Sequence, residues 1–349
     1  MRGVELMNVQ MIRNSNAIVL ALAGLLLFVS PQSSFSEEPG QPQPLGQLPA
    51  VRIPSHNLQF DEKVALGKLL FFDSRLSKDG SVSCASCHVP AAGFSDPRQF
   101  SLGVGGKQGG RNAPSALNTA YNHLQFWDGR AGSLEEQALG PIQNPIEMAE
   151  TLDGIVKKLS KNKVYQFRFR AVFGGDISPD NIAKAIAAFE RTLISTNSPF
   201  DRFIGGDKSA LPEAAQRGLE LFQGKARCVL CHNGPNFTDN KFHNIGVPQT
   251  GPLKEDLGRY AVTKRESDRG AFKTPSLRSI ALTAPYMHTG GFKTLEEVME
   301  FYNKGGEPVT GKDAFMTALN LTDQEKKDLV EFMNSLTGEL KNMSLPKLP

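Results

Sequence analysis

All four cysteines of this 349-residue chain fall in two copies of one pentapeptide, Cys84-Ala85-Ser86-Cys87-His88 and Cys228-Val229-Leu230-Cys231-His232. Two thiols at this spacing add to the vinyl groups of one haem, and the adjoining histidine ligates the iron from the same side. Zinc knuckles would need further ligands and a disulfide scaffold further cysteines, and no cysteine is left over. Each motif therefore predicts a covalently bound haem c, with His88 and His232 as proximal ligands. A chain holding two such groups builds its core around porphyrins rather than around a sheet.

The approaches to the motifs repeat too. Leu66-Gly67-Lys68-Leu69-Leu70-Phe71 precedes the first and Arg217-Gly218-Leu219-Glu220-Leu221-Phe222 the second, with Gly, Leu and Phe at matching offsets. The motifs lie about one domain length apart, so the chain reads as two related domains. Apolar residues at helical spacing run from Ile182 to Ile194 behind a Ser178-Pro179 start signal. Helices are also predicted over Leu295–Tyr302 and over Asp323–Leu336, the latter capped at Thr322. No long alternating strand pattern is present, so the fold class is mainly α. Residues beyond Leu336 lack a core of their own, and the chain ends are expected to cross over.

Arg13, the apolar run Ala17–Val29 and the small residues up to Ser36 have the order of a secretory signal, so residues 1–36 read as a cleaved signal peptide and 37–49 as a flexible leader. The protein is then periplasmic or otherwise exported. A formal charge of +3 with no Lys/Arg run argues against nucleic acid.

Further motifs, Arg111-Asn112-Ala113-Pro114, Phe126-Trp127-Asp128-Gly129-Arg130, Gly258-Arg259-Tyr260 and Leu282-Thr283-Ala284-Pro285-Tyr286, resemble those of the bacterial dihaem cytochrome c peroxidases and MauG proteins, over about residues 54–336. The resemblance implies two cytochrome c-like domains, near 50–204 and 205–349, with the haems facing their interface. Many of these peroxidases carry a mobile distal histidine on the loop that here spans 94–110. This loop has none, so the first haem is expected to stay open for hydrogen peroxide unless His123 or a methionine swings in. Glu147 matches the distal acid–base, Gln137 a hydrogen-bond donor to bound oxygen, and Pro141 its place between them. Trp127, the single tryptophan, matches the bridge between the haems.

On the second haem, the residue fourteen beyond His288 is Tyr302, where the peroxidases have Met and MauG has Tyr. Tyr302 ligation implies a MauG-like enzyme that stores oxidising equivalents over both haems. Met299 and Met287 are the competing ligands. The resemblance also implies a calcium ion held by the Asn112 side chain and the carbonyls of Thr283 and Pro285. Its partners would be a small cytochrome c or cupredoxin, or a protein substrate, and the family includes homodimers. The alternatives are a peroxide-detoxifying peroxidase and a non-catalytic dihaem electron carrier; the carrier needs both irons saturated by protein ligands.

Overall fold

The repeated glycines mark the two places where helix backbones touch. In a computed structural model that describes residues 42–341 and 344–349, α1 (Asp61–Phe72) crosses α5 (Pro179–Glu190), and α7 (Glu213–Gln223) crosses α10 (Asp323–Asn334). A Cβ on Gly67 would overlap the Ala185 carbonyl and press on Phe189; one on Gly218 would overlap the Asp328 carbonyl and press on Phe332. Two crossings of one design make two cytochrome c-like halves. The expected signal peptide and the start of the leader lie outside the described residues.

The first core gathers Leu66, Leu70, Phe71, Phe94, Ile182, Ile186 and Phe189. The second gathers Phe200, Phe222, Phe237, Leu329, Phe332 and Leu336. Phe71, Phe94 and Phe189 correspond to Phe222, Phe237 and Phe332; Phe71 lies 6.2 and 5.3 Å from Phe94 and Phe189, and the three rings of the second set lie 5.1–6.2 Å apart.

The first half adds α2 (Leu134–Gln143), α3 (Leu152–Leu159) and α4 (Lys163–Phe173); α6 (Pro199–Ile204), α8 (Tyr260–Thr263) and α9 (Leu295–Lys304) belong to the rest. The start signals act as read. Ser178 Oγ accepts from the Asn181 N–H at 3.2 Å with Pro179 at the first helical position, and Thr322 forms a reciprocal capping box with Glu325. The helix predicted over 182–194 ends earlier, at Glu190, where Arg191 caps it.

Only two short ladders occur among the described residues. β1 (Ser195–Thr196) pairs with β4 (Glu339–Leu340), and β2 (Phe242–His243) with β3 (Phe272–Lys273), both antiparallel. The chain ends do cross. The tail reaches the first half, where Arg75 donates to the Pro349 carbonyl at 2.9 Å. The leader residues run along the second half. Gln43 accepts from the Gly234 N–H, Arg278 donates to the Gly46 carbonyl, and Gln47 donates to the Asp201 carbonyl. Arg278 also forms a buried ion pair with Asp201 at 2.9 Å. Residues 42–349 thus form one compact unit. Among the described residues no helix is long and apolar enough to cross a membrane.

Candidate active site

Each pentapeptide winds into a single tight turn. The His88 N–H donates to the Cys84 carbonyl at 2.9 Å, and the His232 N–H to the Cys228 carbonyl at 2.8 Å. Each imidazole is then held from behind. His88 Nδ1 lies 3.1 Å from the Phe94 carbonyl and His232 Nδ1 3.1 Å from the Phe237 carbonyl. A carbonyl can only accept, so Nδ1 carries the proton and Nε2 keeps its lone pair. Both phenylalanines sit at positive φ, 55° and 53°, which turns these carbonyls inward. Burial holds both histidines below their usual pKa, hence neutral and fit to bind iron. Burial also pushes the Cys84 thiol up, with Glu190 adding to it, and the Cys228 thiol up to about 12. Such thiols are poor redox nucleophiles and suit thioether links.

Both motifs open into one cavity of about 1010 Å³ that runs through the protein between the halves. Its size, the two neutral histidines and the paired thiols fit two haem groups. Trp127, Gln137, Pro141, Glu147 and Tyr302 all line it, as do Asn112, Thr283 and Pro285.

On the first side, Glu147 follows α2, whose last turn contains Pro141. The turn is closed by the Met148 N–H donating to the Pro141 carbonyl at 3.2 Å. Asn144 Nδ2 donates to Glu147 Oε1 at 2.7 Å. Burial raises the Glu147 pKa, opposed by the Arg130 charge and the Asn144 hydrogen bond. The 94–110 loop packs on this segment through the Val104 N–H and the Glu147 carbonyl, 2.8 Å apart. Gly103 makes that approach possible, since a Cβ would overlap the Ile146 carbonyl. His123 is exposed and off the cavity lining. Met148, the methionine on this side, packs in the first core and also lines the cavity.

On the second side, Tyr302 projects from α9 near Cys228 and Cys231, and burial, reinforced by both sulfurs, pushes its phenol pKa up. Met299 and Met287 also line the cavity, as does Met316, which sequence reasoning passed over.

Between the two sides, Trp127 Nε1 donates to the Asn112 carbonyl at 2.9 Å. Its edge faces His288, whose ring stacks on Phe272 at 3.5 Å. Arg111 caps this stack, 5.4 Å from the Phe272 centroid, and is fixed by Asp128 and Asp256 at 2.7 and 2.6 Å. Burial lowers the His288 pKa to about 4, so it is neutral. Asn112 Nδ2 donates to the Arg98 and Gln99 carbonyls at 3.0 and 3.3 Å, which fixes the amide and leaves its Oδ1 as an available donor atom.

Two buried ionisable groups on the lining carried no sequence signal: Lys273, its pKa lowered by burial to about 8, and Glu190, raised by burial to about 8. Glu190 falls inside the helix read over 182–194, and no reading from sequence covered Lys273.

A family profile for the di-haem cytochrome c peroxidases matches residues 61–209, and one for cytochrome c matches 215–337. The chain is 40% identical to the cytochrome-c peroxidase IdrP1 of Pseudomonas sp. (strain SCT), with 93% of each chain covered. It is 43% identical to the methylamine utilization protein MauG of Methylorubrum extorquens, over 86% of this chain and 85% of that one. Among solved structures, a MauG-like protein associated with microbial copper homeostasis superposes with a TM-score of 0.78 at 35% identity, covering 84% of this chain and 94% of that one.

Proposed function

The chain belongs to the di-haem cytochrome c peroxidase/MauG family and is a haem oxidoreductase carrying two haem c groups, and from that premise we propose that it is an exported, MauG-like enzyme that reduces hydrogen peroxide at the His88 side. The observation that carries this reading is the first side of the cavity, where Glu147 and Gln137 line the wall and no histidine of the 94–110 loop or at 123 is placed to close it. The bound haem supplies an open iron for peroxide on this side and an electron store on the other. Glu147 takes the proton from the inner peroxide oxygen and returns it to the outer one. Its raised pKa suits both halves of that transfer. Gln137 holds the oxygen by hydrogen bonding, and Pro141 shapes the turn that delivers Glu147.

Trp127 lies where an electron would pass between the sides, and its bond to Asn112 fixes the ring. Tyr302 would be the second ligand to the His232 iron; as a phenolate it would favour the ferric state and lower that haem's potential. Asn112, fixed by its donation to the loop carbonyls, shares the cavity lining with Thr283 and Pro285 and would offer its oxygen to a cation held there. Few protein oxygens completed by water suit calcium, which would tie the 94–112 segment to the second half. A small cytochrome c, a cupredoxin or a protein substrate exchanges electrons at the surface, and the division of the domains falls near 204/205. The detoxifying-peroxidase reading shares the first site and differs at Tyr302.

The test is electron paramagnetic resonance of the diferric protein as isolated. One high-spin and one low-spin signal is expected; two low-spin signals would overturn the open site.

A further inference from the structure

Peroxide reduction consumes protons that Glu147 cannot supply, because it only moves one between the two oxygens. Breaking the O–O bond of one peroxide and forming two waters takes up two protons and two electrons. The electrons come from a reduced donor protein. The protons must come from solvent through a buried region.

Glu190, at the C-terminal end of α5, lines the first side of the cavity with only 6% of its surface exposed. Its Oε2 is sealed from solvent and has no hydrogen-bond partner, and neither has Nη1 of the adjacent Arg191. Two unpartnered buried polar atoms in succession are costly unless something in the filled site satisfies them. Behind them runs a chain of polar side chains. Arg191 pairs with Glu135 at 2.8 Å, Asn57 Nδ2 donates to Glu135 Oε1 at 2.7 Å, and Lys63 Nζ donates to Asn57 Oδ1 at 3.0 Å. Lys63 also donates to the carbonyl of exposed Leu58, so the chain reaches the surface.

We propose that Glu190 is the proton-relay residue of the first site, its O–H proton passing through internal water toward the reacting oxygens and being replaced from solvent through the same water, while the Glu135–Asn57–Lys63 network holds the adjacent Arg191 in place. The inference rests on the peroxide-reducing function above. The charges facing Glu190 are Arg191 on its own helix and Glu135 on α2. Beyond Glu135, Lys63 on α1 and Lys184 on α5 complete the set. Burial, with Glu135 adding and Arg191 opposing, raises the carboxyl to about 8, so it holds its proton at neutral pH and loses it as pH rises through that value.

The test compares the holoprotein with Glu190→Gln and Glu190→Asp. Turnover with a reduced small cytochrome c is measured across neutral and alkaline pH, in H₂O and D₂O, beside stopped-flow mixing of the diferric protein with peroxide. Gln mimics the neutral acid in shape, so haem content should persist. Glu190→Gln is expected to lower turnover roughly tenfold or more, to raise the solvent isotope effect and to erase the alkaline limb near pH 8. Its first reaction with peroxide should stay within a few-fold of wild type, and Glu190→Asp should keep an alkaline limb at a displaced pH. If wild type reacts with peroxide but neither variant changes the limb or the isotope effect, the relay is overturned alone. If wild type does not react, the relay and the function both fall.

Discussion

Replacing Glu147 with Gln probes the chemistry while sparing the fold. The side chain makes one hydrogen bond, accepted by Oε1 from Asn144 at 2.7 Å. A Gln carbonyl oxygen can accept the same bond, so the turn after α2 and the Gly103 contact should survive. What is lost is the proton acceptor. General acid–base groups contribute about 10²–10⁴-fold, equivalent to roughly 2.7–5.4 kcal/mol of barrier. Burial keeps the wild-type carboxyl protonated to higher pH than usual. The acceptor is the ionised form, so the wild-type rate should climb as pH rises through that raised pKa, and the Gln variant should lack this acid limb. The assay is stopped-flow absorbance of the diferric protein mixed with peroxide at several pH values, with haem content checked beforehand. A rate within a few-fold of wild type and an unchanged acid limb would refute the argument and leave Glu147 as a turn residue bonded to Asn144.

Other outcomes follow from the same geometry. Tyr302→Met should replace a hard anionic ligand by a soft neutral one, so the potential of the second haem should rise in spectroelectrochemical titration; an unchanged potential would point to Met299 or Met287 as ligand. Gly67→Ala forces a methyl group into the Ala185 carbonyl at the α1–α5 crossing, and the thermal midpoint should fall by the equivalent of about 1–3 kcal/mol or more. A neutral effect there would mean that the two helices separate freely.

Much of this molecule was legible from the chain because its strongest signals are local. The pentapeptides, the Gly67 and Gly218 approaches, and the Ser178 and Thr322 caps each act within a turn or one helix crossing. Trp127, Gln137 and Glu147 all line the same cavity. What stayed hidden depends on burial and on distant partners. Glu190 reads as one more helical carboxylate, and only packing against α2 and the first motif shows it sealed. The Arg111 clamp needs Asp256, 145 positions away. His288 had no readable role until its stack on Phe272 and its edge toward Trp127 were in view.

The crossed chain ends bear on how such a protein is assembled. Leader residues from 43 onward are laid down first, yet they hydrogen-bond to Asp201, at the junction of the halves, and to Gly234 and Arg278, in the half made last. Conversely, β1 waits for β4, and Arg75 for Pro349. Neither half can finish its surface until the whole polypeptide has emerged, so the last contacts to form are long-range and come late. Closing the ends is then a late step in joining the two halves. Trimming the tail beyond Leu336 should leave two loaded halves that communicate poorly, a defect of spacing rather than of either centre.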